Sequence, residues 1–293
     1  MDRRKPVATL ALGLLLAACS AAPPAPSPSP SPSPEPSPSP SPAARGLYVR
    51  VWTSQALPPE HTVGSLPTLT VTEGLAIDGN VAIPMIYPGP LMVLPHVRPI
   101  SEEGQAAIVE LAQRLGLLDA SADFSEGALA PGALAAHVLF EIDGERVELV
   151  GDPQASGRCA AGDLRCQPEP GSGEAFTFLF ARLSYLDDWL ADELGAPVDH
   201  TPDRLLVVTQ PPAPLEVPAQ PSAWPLDADF DEFGDAWAME GSRCAVVEGD
   251  ELEALLPVLL AANQATVFVD GQDEARALLA RVLLPGEPSP CTS

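Results

Sequence analysis

The segment Asp227-Ala228-Asp229-Phe230-Asp231-Glu232-Phe233-Gly234-Asp235 sets carboxylates at alternate positions. That is the D-x-D-x-D spacing with which calcium loops gather oxygen ligands. Asp227, Asp229, Asp231 and Asp235 are therefore a calcium candidate. The segment departs from a calcium loop at its sixth position, Glu232 instead of Gly, and at its twelfth, Ala238 instead of Glu. A short helix start competes for the same residues, with acid in the first turn and Phe230, Phe233 and Trp237 inward at helical spacing. The four histidines, His61, His96, His137 and His200, form neither H-E-x-x-H nor His-x-His and read as surface or strand residues. No serine lies in G-x-S-x-G, and no G-x-G-x-x-G follows a strand pattern. Paired carboxylates for glycoside hydrolysis carry no specificity here, because so many acids place some pairs together by chance.

Five cysteines are present, and Cys159, Cys166, Cys244 and Cys291 form an even set apart from Cys19. Four cysteines in an exported chain allow three pairings. Cys159 and Cys166 bracket a short polar loop, whereas Cys244 opens a strand pattern and Cys291 sits at the chain end. The expected pairs are Cys159–Cys166 and Cys244–Cys291, the second pinning the tail. A zinc ribbon needs C-x₂₋₄-C spacing, which neither pair has.

The chain's start explains why export is expected. Residues 1–18 run from Arg3, Arg4 and Lys5 into an apolar stretch too short to span a bilayer, the pattern of a signal peptide. Leu16-Ala17-Ala18-Cys19 resembles a bacterial lipobox. That resemblance implies a diacylglycerol thioether on Cys19, which becomes the mature N-terminus and carries palmitate-type acyl chains into the lipid bilayer. Several chains anchor stably where one would not. Residues 19–45 are dominated by Pro, Ser and Ala and read as a disordered linker with polyproline II character. At about 3.1 Å per residue it reaches up to about 70 Å.

The whole chain carries 15 Lys+Arg against 40 Asp+Glu, a net charge of −25. Three of those cations and one acid precede Cys19, so cleavage there leaves 12 against 39, or −27. Such a surface repels nucleic acid and anionic lipid head groups. Lys5 is the only lysine, so the mature chain has none for a Schiff base or a P-loop.

Residues 46–293 must supply whatever scaffold positions a site. A strand is expected at 47–54, followed by short strands over 67–100 with turn chemistry at Asp78-Gly79 and Tyr87-Pro88-Gly89-Pro90. Ser101 caps a helix with Glu102 and Glu103 in its first turn and Ala107, Ile108, Leu111 and Leu115 on its apolar face; Gly116 stops it. A hairpin over 137–152 turns at Asp143-Gly144. Helical spacing continues over 174–195, a strand occupies 204–210, and 211–225 reads as extended loop. Strand 243–249, a helix from Asp250, strand 265–270, a turn at Asp270-Gly271 and a final strand over 274–285 close the chain. The fold class is α+β, mainly antiparallel sheet with two or three packed helices. Strand, capped helix and hairpin recur at 93–150 and 243–284, so 46–200 and 201–293 read as two β-α-β-β halves, by duplication or by reuse of a common unit.

The motifs WT at 52–53, LPTLTV, IYPGP, VLPHVRPISEEG, AANQATVFVDG and LLPGEPSPC together resemble a group of uncharacterised lipoproteins of high-GC bacteria, over most of 46–293. The resemblance implies an exported lipoprotein and no mechanism. The expected function is a membrane-anchored extracytoplasmic module, non-enzymatic, that binds an envelope protein or small ligand without a cofactor other than the calcium candidate. The alternatives are an envelope hydrolase using carboxylates, with or without calcium, and an inhibitor-like or chaperone-like module for exported proteins.

Overall fold

A computed structural model describes residues 46–55, 65–81, 87–125, 133–153, 166–214 and 217–292. The signal peptide, Cys19, the Pro/Ser-rich linker, His61 and Cys159 lie outside the described residues.

Strand β1 (Tyr48–Gln55) alternates strictly: Val49 and Val51 are fully buried, while Arg50 and Trp52 face the other way. It lies between β2 (Leu69–Thr72) and β6 (Leu134–Ile142), antiparallel to both. With β3 (Leu75–Asp78), β4 (His96–Pro99), β5 (Ala122–Asp123), β7 (Glu145–Gly151) and β8 (Val198–Asp199) they form an eight-stranded sheet of order β5-β7-β6-β1-β2-β3-β4-β8. Only the short β5–β7 pair is parallel. The turn of the β2–β3 hairpin is Glu73-Gly74, with φ of 48° and 78°, and not Asp78-Gly79. Asp78 instead ends β3 by accepting a hydrogen bond from the Asn80 amide at 2.8 Å. The Asp143-Gly144 turn forms as expected, both residues having positive φ.

Helix α1 (Glu102–Arg114) begins at Ser101, whose hydroxyl accepts from the Gly104 amide at 3.0 Å. Helix α2 (Gly173–Ser184) is capped by Ser172 in the same way. The helical stretch expected over 174–195 breaks at Tyr185, which leaves helical geometry, and resumes only as α3 (Asp187–Leu190) and a 3₁₀ turn at Ala191–Glu193. Ile108, Leu111 and Ala112 of α1 and Phe176, Leu179 and Leu183 of α2 pack with Val49, Val51, Val71, Val138, Phe140 and Leu149 of the sheet into the first core.

The second sheet has order β10-β13-β14-β9-β12-β11, from β9 (Arg204–Gln210), β10 (Gln220–Ala223), β11 (Asp235–Ala236), β12 (Arg243–Glu248), β13 (Thr266–Val269) and β14 (Ala275–Val282). Its central strand β9 is apolar on both faces: Leu205 and Val207 point into a core with helix α4 (Gly249–Ala261), and Leu206 and Val208 into another with Cys244 and Leu283. Gln220–Ala223, read from sequence as loop, is an edge strand parallel to β13. The edge tolerates Pro221, which has no N–H to give. Ile77 and Val97 of the first sheet reach into the α4 core, so the two sheets share packing.

The repeated order of elements does not become a repeated topology. In the first sheet the earlier hairpin strand, β6, lies inward beside β1; in the second the later strand, β14, lies inward beside β9. The architecture is α+β with two mixed sheets.

Candidate functional site

A cleft of about 860 Å³ opens between α1 and α2. Its walls are Leu111 and Leu115 from one helix, Phe178 from the other, Trp189 from α3, and the loop Cys166–Pro170. Each arrives by helical spacing: Leu111 and Leu115 are four apart, as are Phe178 and Arg182. The Arg182 guanidinium lies 5.0 Å from the Phe178 ring, and Arg182 is only 7% exposed. Its backbone carbonyl accepts the Trp189 indole N–H at 2.9 Å, which fixes the indole against the cleft. Arg114 stands at the mouth, its side chain exposed, 3.6 Å from Glu110. Among the described residues the lining holds two arginines, Arg114 and Arg182, and one acid, Glu169.

A second cavity of about 260 Å³ is lined by Asp78, Asn80, Arg98, Tyr185, Asp187 and Asp188 with an apolar floor. Arg98 is already committed there, donating to the Gly195 carbonyl at 2.8 Å and to Asp187. This cavity falls below the usual range of about 300–1,000 Å³ for ligand sites.

The sequence candidates are placed as follows. Cys244 and Cys291 form a disulfide with Cα atoms 5.3 Å apart, which ties the tail to β12. Cys166 is also disulfide-bonded; its expected partner, Cys159, lies outside the described residues. The acidic segment forms a turn rather than a helix start, and Phe230 and Phe233 bury against Trp224 with ring centroids at 4.9 and 5.2 Å. Its carboxylates engage different partners. Asp229 accepts from the Gln272 amide at 2.5 Å, Asp231 lies 3.9 Å from Arg276, Asp235 sits in β11 opposite Cys244, and Asp227 is exposed. Among the described residues no group of three or more His, Cys, Asp or Glu is placed to hold a metal ion.

Two constellations escaped the sequence reading. Glu287, 5% exposed, accepts from Arg281 at 2.9 and 2.6 Å, from Arg50 at 3.0 Å and from the Leu284 amide at 3.1 Å. This carboxylate joins β1 of the first sheet to β14 of the second. On the same face of β1, Arg50 stacks over Trp52 at 4.9 Å, and Trp52 stacks on His137 at 4.8 Å with planes 8° apart. His137 Nε2 lies 2.7 Å from the Ser54 hydroxyl. Burial pushes the His137 imidazole below its ordinary pKa, against the pull of Glu148 and Asp123. Ser54 and His137 are 83 residues apart, and only the β1–β6 register brings them together.

No helix among the described residues is long and apolar enough to cross a membrane. Compared with protein-family models, curated proteins and solved structures, the chain matches none.

Proposed function

We propose that the protein is a lipid-anchored extracytoplasmic binding module, and that the cleft between α1 and α2 takes an amphipathic ligand bearing a carboxylate or similar anion. In this reading acylated Cys19 holds the chain in the bilayer, the Pro/Ser segment spaces it outward, and residues 46–293 present the cleft. The observation that carries the ligand class is the exposed Arg114 guanidinium at the mouth of a cleft walled by Leu111, Leu115, Phe178 and Trp189. Apolar walls with a few fixed polar groups are the usual composition of a small-ligand site. Arg114 supplies a planar guanidinium donor at the edge of that apolar wall, which suits a carboxylate on a ring or chain. Arg114 gives up only a weak exposed ion pair with Glu110 when a ligand engages it.

Calorimetric titration of the full-length protein in nanodiscs, with empty nanodiscs subtracted, tests the reading. The probes are 2-naphthoate and its matched amine, 2-naphthylmethylamine. The carboxylate binds, the amine does not, and Arg114→Glu weakens the carboxylate at least fivefold. Equal binding of both probes, or indifference to Arg114→Glu, rejects the site. Metabolic labelling with an alkynyl fatty acid tests the anchor separately: label on the wild type and none on Cys19→Ser.

A further inference from the structure

The face of the first sheet opposite its helices carries a pair that the cleft does not use. Ser54, near the end of β1, is solvent-exposed, and its hydroxyl lies 2.7 Å from His137 Nε2. The imidazole is not free to turn away. Trp52, directly opposite His137 in the strand register, stacks on it almost parallel, and Trp52 is itself backed by Arg50, which Glu287 holds from the second sheet. The His137 Nδ1 atom is buried with no hydrogen-bond partner. The tautomer protonated at Nδ1 lets Nε2 accept from Ser54, the arrangement a general base needs. Burial also keeps the ring neutral at pH 7 and therefore able to take a proton.

We propose that Ser54 is an activated nucleophile, with His137 as its base, that accepts an acyl group from small esters. Ser54 Oγ attacks the acyl carbon while its proton passes to His137 Nε2, giving a tetrahedral adduct. Collapse breaks the ester C–O bond, and the alcohol leaves with the proton from Nε2. Water then follows the same route, giving its proton to His137 and releasing the acid and the free serine. The acids that act on the ring are Glu148 on the adjacent β7 and Asp123 on the edge strand β5 beyond it, and Asp123 is held by the amide and hydroxyl of Ser125 at 2.9 and 2.5 Å. No described carboxylate bonds Nδ1, so the pair resembles a triad without its acid, an arrangement that slows turnover by about 10⁴-fold where measured. Covalent capture is therefore the sensitive readout.

The folded full-length protein is incubated with an alkyl fluorophosphonate and the modified residue located by peptide mass spectrometry. Ser54 is labelled at least tenfold faster than exposed Ser121, and His137→Gln lowers the Ser54 rate at least tenfold while the circular dichroism spectrum is unchanged. The rate in the wild type rises with pH through a midpoint below 6.5, the ordinary histidine value. Labelling of Ser54 no faster than Ser121, or a rate indifferent to His137→Gln, overturns the proposal. A second variant keeps it falsifiable if His137→Gln does not fold. Ser54→Cys retains the imidazole and should react with iodoacetamide at pH 7 at least tenfold faster than a free cysteine; an ordinary thiol rate refutes the pairing.

Discussion

Replacing Glu287 by Ala probes the joint between the two sheets. The carboxylate receives four hydrogen bonds, three of them from guanidinium groups. Arg281 is 7% exposed and cannot turn to water, whereas the Arg50 side chain is 17% exposed and reaches part of its hydration. Removing the acid leaves the Arg281 charge buried without compensation, a change that costs about 3–5 kcal/mol where buried pairs have been broken. It also strips an acceptor from the Leu284 amide, adding about 1 kcal/mol. Glu287→Ala is therefore expected to lower unfolding stability by about 4–6 kcal/mol, at the edge of what a domain of this size sustains. Equilibrium urea unfolding, followed by tryptophan fluorescence and by circular dichroism, reads the change. The double variant Glu287→Leu with Arg281→Met removes the acid and the most buried cation together, so it should recover at least half of the loss. A loss under 1 kcal/mol for Glu287→Ala, or no recovery in the double variant, would refute the argument that desolvation of Arg281 sets the magnitude.

Three further outcomes follow from the same structure. Reducing Cys244–Cys291, or replacing Cys291 by Ser, opens a loop of sequence separation 47 and should cost about 4 kcal/mol in the chain-entropy account, read as a lower urea midpoint. His137 and His200 are both held below the ordinary histidine pKa, first by burial, so the folded state binds fewer protons than the unfolded chain as pH falls below about 6.5. Their contribution is complete above that pH and is lost on acidification; urea midpoints should fall between pH 7.5 and 5.5, and His137→Gln with His200→Gln should flatten the slope. Calcium should leave the melting temperature unchanged, because Asp229 is engaged by Gln272 and Asp231 lies beside Arg276; a rise of several degrees at millimolar calcium would establish the acidic turn as a site.

What was legible in the chain was local. Ser101 and the acids after it marked α1, Asp143-Gly144 marked the β6–β7 turn, and the run Arg204–Gln210 marked the strand β9, which the structure buries on both faces. These signals need only neighbours within a turn or a strand. Where two signals competed, context decided. Asp78-Gly79 is a good turn pair, yet Glu73-Gly74 makes the hairpin because the β2–β3 register closes there. The helix start expected after Asp227 does not form, since Phe230 and Phe233 are drawn around Trp224 and the Phe230 amide is taken by Asp270 at 3.1 Å. The functional constellations depend on distant partners. Arg50 meets Glu287 across 237 residues and Ser54 meets His137 across 83, and no periodicity carries such a pairing. Cys244 and Cys291 are the exception, because Cys159 and Cys166 bracket one short loop and so leave Cys244 and the tail Cys291 to each other.

The most direct test of the binding reading is a crystal structure of the protein with 2-naphthoate. The predicted result is the ring between Phe178 and Trp189, with the carboxylate within hydrogen-bond distance of Arg114. A naphthoate bound in the smaller cavity beside Arg98, or an empty cleft between α1 and α2 at saturating ligand, would contradict it.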